Sequence, residues 1–228
     1  MLDFTEINVS KNGGNLKMET RTVKLYKFYE LNKKAQHKIV LKNRAIFLND
    51  FNRFADNLIG FFVQKLKNVG FDVKQEDINY SGFGNQGDGL SFTCDNINTA
   101  AVLAYAEKHG YEKEVHYLCT MPRFDDVIAS VDFIIRRTIN RYVHKYSVLI
   151  QYNTNETLLE TPQTNYVEDK LYALIEQVRI DLCDTFYDML EQQWKKILSF
   201  NYLFDWFSTN DNNLYFANGH RWIEVGED

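Results

Sequence analysis

The chain has 228 residues, 45% hydrophobic and 25% charged, a balance that suits one sizeable core or two small ones. Its three cysteines, Cys94, Cys119 and Cys183, are odd in number and share no C-x-x-C spacing, which argues against a disulfide framework or zinc ribbon and for a reducing compartment. The net charge of −5 divides unevenly: residues 21–45 hold eight Lys and Arg against Glu30 alone, and residues 155–191 hold nine Asp and Glu against Lys170 and Arg179, so one positive and one negative face are expected.

Taken in chain order, residues 1–20 read as a polar, Asn- and Gly-containing leader, mobile or loosely docked, and Val23–Phe28 as a short strand. The opening lacks the apolar core of a signal peptide, and no run approaches the roughly 18 apolar residues of a membrane span, so a cytoplasmic protein is expected. Asn32 can cap a helix, because its side-chain oxygen can accept from the open amides of a first turn. Leu31, Ala35, Ile39, Phe47, Phe51, Phe54, Leu58, Phe61 and Leu66 then recur mostly three or four residues apart, predicting one long helix or two in tandem that end near Gly70.

Phe71–Tyr80 and Leu90–Cys94 read as the arms of a hairpin, and Asn98–His109 as a short helix stopped by Gly110. Alternation through Val127, Ala129, Val131, Phe133 and Ile135, and again from Tyr142 to Tyr152, predicts two strands joined tightly around Thr138-Ile139-Asn140. A second long helix is expected from Pro162 to about Leu198. Asn218-Gly219 between apolar runs predicts a type I′ hairpin. Together these predict a single α+β domain over residues 1–228, an antiparallel sheet of hairpins packed with two long helices.

The stretch Tyr80–Phe92, YSGFGNQGDGLSF, contains a literal G-x-G-x-x-G at Gly82, Gly84 and Gly87. A dinucleotide site needs that motif to open a helix whose amides hold the pyrophosphate, and here it leads into the strand-like Leu90-Ser91-Phe92-Thr93. No G-K-[ST], H-R-D or D-F-G accompanies it. The reading that remains is a hairpin turn built from Ser81, Gly82, Gln86, Gly87, Asp88 and Gly89, with glycines supplying positive φ and polar side chains bonding the loop's own amides.

SGFGNQGDGLSF resembles an S-G-F-x-x-Q-G-D-G-x-S-F signature of a group of proteins encoded largely by bacteriophages and other mobile elements. KLYKFYELNKKAQHKIVLKNR resembles that group's opening, RYVHKYSVLIQ its basic aromatic strand, and NLYFANGHRW its terminal hairpin; Leu90 stands where the group has a small residue. The group has no agreed activity, so the resemblance implies a biological setting and not a reaction.

For catalysis, the candidate set is Asp88 in the glycine turn with His144 and Arg141 on a strand, an acid, a base and a cation that could cleave or transfer phosphate on RNA. His116 and Cys119, an H-x-x-C pair, could join Cys94 in a zinc site, but pairs at such spacing arise by chance, and no metal or cofactor is expected. For binding, Lys33, Lys34, Lys38 and Lys42 form one basic run. Arg136, Arg137, Arg141, His144 and Lys145, interleaved with Tyr142 and Tyr146, form another, in which cations would hold phosphates and rings would stack on bases.

These features lead to the expectation of a phage or prophage inhibitor of host defence. It would be anti-CRISPR-like and would act without catalysis on an RNA-guided effector or its guide RNA. Its partner would be a host defence protein or ribonucleoprotein, with no membrane involved. The acidic helix offers another route, mimicry of nucleic acid. The rival expectation is a small phosphodiesterase or RNase using Asp88 and His144.

Overall fold

The computed structural model describes residues 2–12, 15–83, 88–138, 143–154 and 161–221. Within them lie seven α-helices and three two-stranded antiparallel sheets, so the fold is α+β. The chain divides into two compact units, Met1–Asn52 with Trp194–Asp228, and Arg53–Gln193. None of the helices is long and apolar enough to cross a membrane, among the described residues.

In the first unit, strands β1 (Leu2–Asn12) and β2 (Asn15–Leu25) pair from Leu2↔Leu25 to Asn12↔Asn15. Strands thus replace the leader expected over residues 1–20; the sequence signal for a hairpin is Gly13-Gly14, two residues between the arms. Helix α1 (Lys33–Asn43) starts where Asn32 Oδ1 accepts from Ala35 N–H at 2.9 Å. A 3₁₀ turn over Arg44–Phe47 separates it from α2 (Leu48–Val69), so the long pattern is two helices in tandem. Phe28 meets Phe204 and Phe207 at 5.4 and 5.3 Å, and Phe47 meets Trp206 at 5.0 Å; the Phe204 and Trp206 contacts are edge-on, a geometry favoured by ring quadrupoles, and the Phe207 ring is tilted at 31°.

In the second unit, β3 (Ile78–Tyr80) pairs with β4 (Leu90–Phe92), a hairpin shorter than the Phe71–Tyr80 and Leu90–Cys94 arms expected, because a 3₁₀ turn takes Gln75–Asp77; α3 (Thr99–Lys108) follows, which Asn98 caps through Ala101 N–H. Two short helices then appear where the sequence reading had none or a strand: α4 (Glu112–Cys119) and α5 (Phe124–Ser130). Val127 therefore lies on a helix and not on the strand read from its alternation. Phe124 and Val127 are buried one turn apart, while Asp125 and Asp126 occupy the first turn, where the helix dipole favours acids.

Strand β5 (Val131–Arg137) pairs with β6 (Val148–Thr154), Arg137 opposite Val148. Ten residues connect them, in place of the tight turn expected. Reciprocal bonds between the Cys94 and Ile135 backbones, 3.1 and 2.7 Å, tie the β4 side to β5.

Helix α6 (Pro162–Ile197) runs 36 residues, with proline at its first position, where no amide is needed. Its stripe Val167, Leu171, Leu174, Val178, Leu182 and Phe186 is buried, as is Ala55, Ile59, Phe62, Leu66 on α2. Phe62 and Phe186 stack at 4.1 Å, each ring fully or almost fully removed from water, a burial that contributes about 1.5–3 kcal/mol per side chain.

Back in the first unit, Ser199 Oγ accepts from Tyr202 N–H and opens α7 (Phe200–Asn210), a helix separate from the expected one that ends near Leu198. The terminal hairpin is present with a different turn. Gly219 N–H donates to Phe216 C=O and Phe216 N–H donates to His220 C=O; Gly219 has φ +81° and Asn218 is not positive. That is a type I turn followed by a left-handed glycine, not the type I′ expected, because only one residue takes positive φ.

Candidate functional site

Two places collect the residues singled out from the sequence, one in each unit. In the first unit, α1 buries Ala35, Gln36, Ile39 and Val40 and exposes Lys33, Lys34, His37, Lys38, Leu41 and Lys42, the alternation of pairs that a 3.6-residue period produces. None of Lys33, Lys34, Lys38 or Lys42 pairs with a carboxylate among the described residues; Lys38 Nζ lies 3.1 Å from His220 Nε2.

Two open grooves border this stripe. One, about 900 Å³, runs past Lys34, Lys38, Leu41 and Lys42 to Ala217 and Asn218 of the terminal hairpin. The other, about 580 Å³, lies between α1 and α7. There, Phe200, Asn201, Phe204 and Asp205 form one stripe of α7 opposite Lys33, Gln36 and His37, and the His37 and Phe200 rings meet at 5.0 Å. The α7 residues were missed from the sequence; their signal was Ser199, a capping residue, followed by Phe200, Leu203, Phe204 and Phe207 at helical spacing.

In the second unit, the glycine turn locks onto the connection between β5 and β6. Ser81 N–H donates to Gly89 C=O at 3.0 Å, Gly89 N–H donates to Ser81 Oγ at 3.0 Å, and Ser81 Oγ–H donates to Val143 C=O at 3.2 Å. Gly89 packs so closely on His144 that an added Cβ would lie 2.9 Å from its Cδ2. Tyr187 Oη–H donates to Gly82 C=O at 2.7 Å, and Phe83 stacks between Tyr80 and Tyr187. Gly84, Asn85, Gln86 and Gly87 lie outside the described residues, as do Arg141 and Tyr142.

His144 and Tyr146 belong to a turn and not to a strand. Ser147 N–H and Oγ–H both donate to His144 C=O, at 2.8 and 2.6 Å, and His144 N–H donates to Ser147 Oγ, closing a local loop that delays β6 until Val148. Tyr146 N–H donates to His144 Nδ1 at 3.3 Å, which places the proton of the neutral ring on Nε2. Asp88 thus precedes, in the chain, the glycine on which His144 packs.

The setting is acidic. Tyr187 is pushed up to about 12, chiefly by desolvation and then by the charges of Asp88, Glu191 and Asp188. Lys145 Nζ bonds Asp184 at 2.5 Å; burial pulls its pKa down, the Asp184 bond and charge more than offset this, and the ammonium ends above its ordinary value. That cation is engaged. Arg136 pairs with Asp95, and Arg137 ends β5 exposed.

The acids of α6 are largely occupied within the unit. Glu168 is buried, Glu176 holds Arg179 by two hydrogen bonds of 2.7 and 2.6 Å, and Asp181 accepts from Tyr111 and Gln177. Among the described residues no three His, Cys, Asp or Glu group as metal ligands; Cys94 donates to Asn96 C=O, and Cys119 is exposed.

Residues 48–199 match the family described as Domain of unknown function (DUF8835). No curated protein and no solved structure matches the chain.

Proposed function

The chain belongs to the DUF8835 family, and we propose that it is a binding protein without catalytic activity, encoded by a phage or other mobile element, that disables host defence in the bacterial cytoplasm. In this reading it is anti-CRISPR-like: α1 engages the RNA of an RNA-guided effector and competes for the surface that RNA needs. One observation carries it. Lys33, Lys34, Lys38 and Lys42 form a continuous exposed stripe with no carboxylate partner among the described residues. Four ammonium groups that no carboxylate neutralises among the described residues gain most by displacing counterions from a polyanion.

The mimicry route is weaker, because Glu168, Glu176, Asp181 and Asp184 of α6 are buried or bonded to groups of the same unit. A second reading, phosphodiester cleavage, draws on the placement of Asp88 and His144 about Gly89. The neighbouring carboxylates Asp184, Asp188 and Glu191 oppose the approach of a phosphate there.

The test is fluorescence anisotropy with a labelled single-stranded RNA across a salt series, beside an interference assay with an RNA-guided effector. Replacing Lys33, Lys34 and Lys38 by Glu is expected to weaken binding at least about tenfold while leaving it measurable at low salt, and to abolish protection. The wild-type salt slope should exceed that of the variant by about 2, from roughly 0.7 per neutralised phosphate on a single strand. Unchanged binding and protection would remove α1 from the function. RNA turnover by the wild type that vanishes in Asp88→Asn would replace this reading with the enzymatic one.

A further inference from the structure

The groove between α1 and α7 has walls and edges of different chemistry. Phe200, 39% exposed, and Phe204 supply ring surface, with the His37 ring tilted 32° against Phe200. Lys33 stands at the rim, and Asn201 and Asp205 follow the two phenylalanines one residue later on the same helical stripe. Gln36 is held in place, its Nε2–H donating to Phe28 C=O at 3.1 Å. A surface that only needed positive charge would gain nothing from the exposed Phe200 ring, backed by the half-buried Phe204, with a carboxylate beside it. An acid there repels phosphate but can accept hydrogen bonds from a donor edge.

We infer that this groove receives a single unstacked nucleobase, with guanine preferred, of a single-stranded RNA whose phosphates lie along the α1 lysines. The inference rests on the RNA-binding reading above and adds the form of the nucleic acid and the base. Stacking needs a free base face, which a duplex does not offer, and aromatic platforms are the usual means of holding one. A carboxylate only accepts hydrogen bonds. Guanine presents two adjacent donors, N1–H and N2–H, on its pairing edge; the other three bases place an acceptor beside every donor there. Asp205 therefore selects guanine by pairing with both donors, Phe200 and His37 hold the ring face, and Lys33 and Lys34 meet the flanking phosphates.

The experiment compares labelled U12, U12 with one central guanosine, and a 12-base-pair RNA duplex, each against the full chain. The expected result is about tenfold tighter binding of the guanosine-containing strand than of U12, with the duplex weakest. Asp205→Ala should erase the guanosine advantage and, by removing a carboxylate that repels phosphate, should bind U12 at least as tightly as the wild type does. Phe200→Ala should weaken both single strands about tenfold, since a stacked base is worth roughly 1–3 kcal/mol. Asp205 is exposed on α7, so its variant keeps the test open should the Phe200 variant unfold. Equal affinity for U12, the guanosine strand and duplex would overturn the base pocket and leave the polyanion reading standing. Failure of all three RNAs to bind would overturn both.

Discussion

Gly82 and Gly89 sit in one turn and would answer an added methyl group differently. Neither has positive φ; among the described residues the glycines that do are Gly70, Gly110 and Gly219, so the expectation of positive φ in the turn does not hold at these two positions. At Gly89 a Cβ would come within 2.9 Å of His144 Cδ2 and 3.2 Å of His144 Cα, and the second atom is backbone that cannot swing aside. At Gly82 the nearest atom would be Asp88 Oδ2 at 3.6 Å, an ordinary contact. Gly89 is therefore required by close approach and not by backbone conformation. Gly89→Ala should cost about 1–3 kcal/mol, the range for overpacking, and lower Tm by several degrees, while Gly82→Ala stays near the wild type. Thermal melts of the two variants side by side decide it; equal melting temperatures would mean that the 143–147 loop does not seat against Gly89.

The elements show which signals a sequence carries strongly. The tandem helices ending at Gly70 and the long helix from Pro162 were legible because an apolar period, a cap and a stop coincided. Helix α5 and the late start of β6 were not, because short-range alternation in Val127–Ile135 fits a helix end and a strand equally, and the His144–Ser147 bonds depend on side-chain geometry. Arg179 likewise gave no hint of its burial. Its side chain is 0% exposed in the middle of α6, bonded through Nε and Nη2 to Glu176, whose side chain retains 24% exposure. The two partners are thus unequal. Glu176→Ala strands a guanidinium in the interior and should cost about 3–5 kcal/mol, whereas Arg179→Met removes the buried charge and leaves Glu176 able to reach water, a smaller loss. Urea unfolding of both variants measures the difference, and equal losses would show that Arg179 finds another partner.

At the scale of the molecule, the family match over 48–199 brackets the second unit, Arg53–Gln193, and leaves α1 and α7 outside it. The basic stripe was legible as a charge excess, but the pocket beside it was not, since it needs α7 to fold and present Phe200 and Asp205 on one face. The second unit also concentrates groups held in their protonated forms. Desolvation is the leading cause at each: Cys94 is pushed up to about 11, and Cys183, Tyr111 and Tyr187 to about 12. The unfolded chain releases the same protons near 9 for thiols and 10 for phenols, so above those values it binds fewer protons than the fold does. Stability from these groups is complete below about pH 9 and drains away as pH rises towards 12. Melting temperature should hold between pH 7 and 8.5 and fall steadily by pH 11. Cys183→Ala, which removes one of the two buried thiols, should lower Tm at neutral pH through the small cavity yet flatten the alkaline decline. A melting temperature constant to pH 11, or an equal slope in that variant, would mean that Cys183 does not keep its proton through burial in the α6 core.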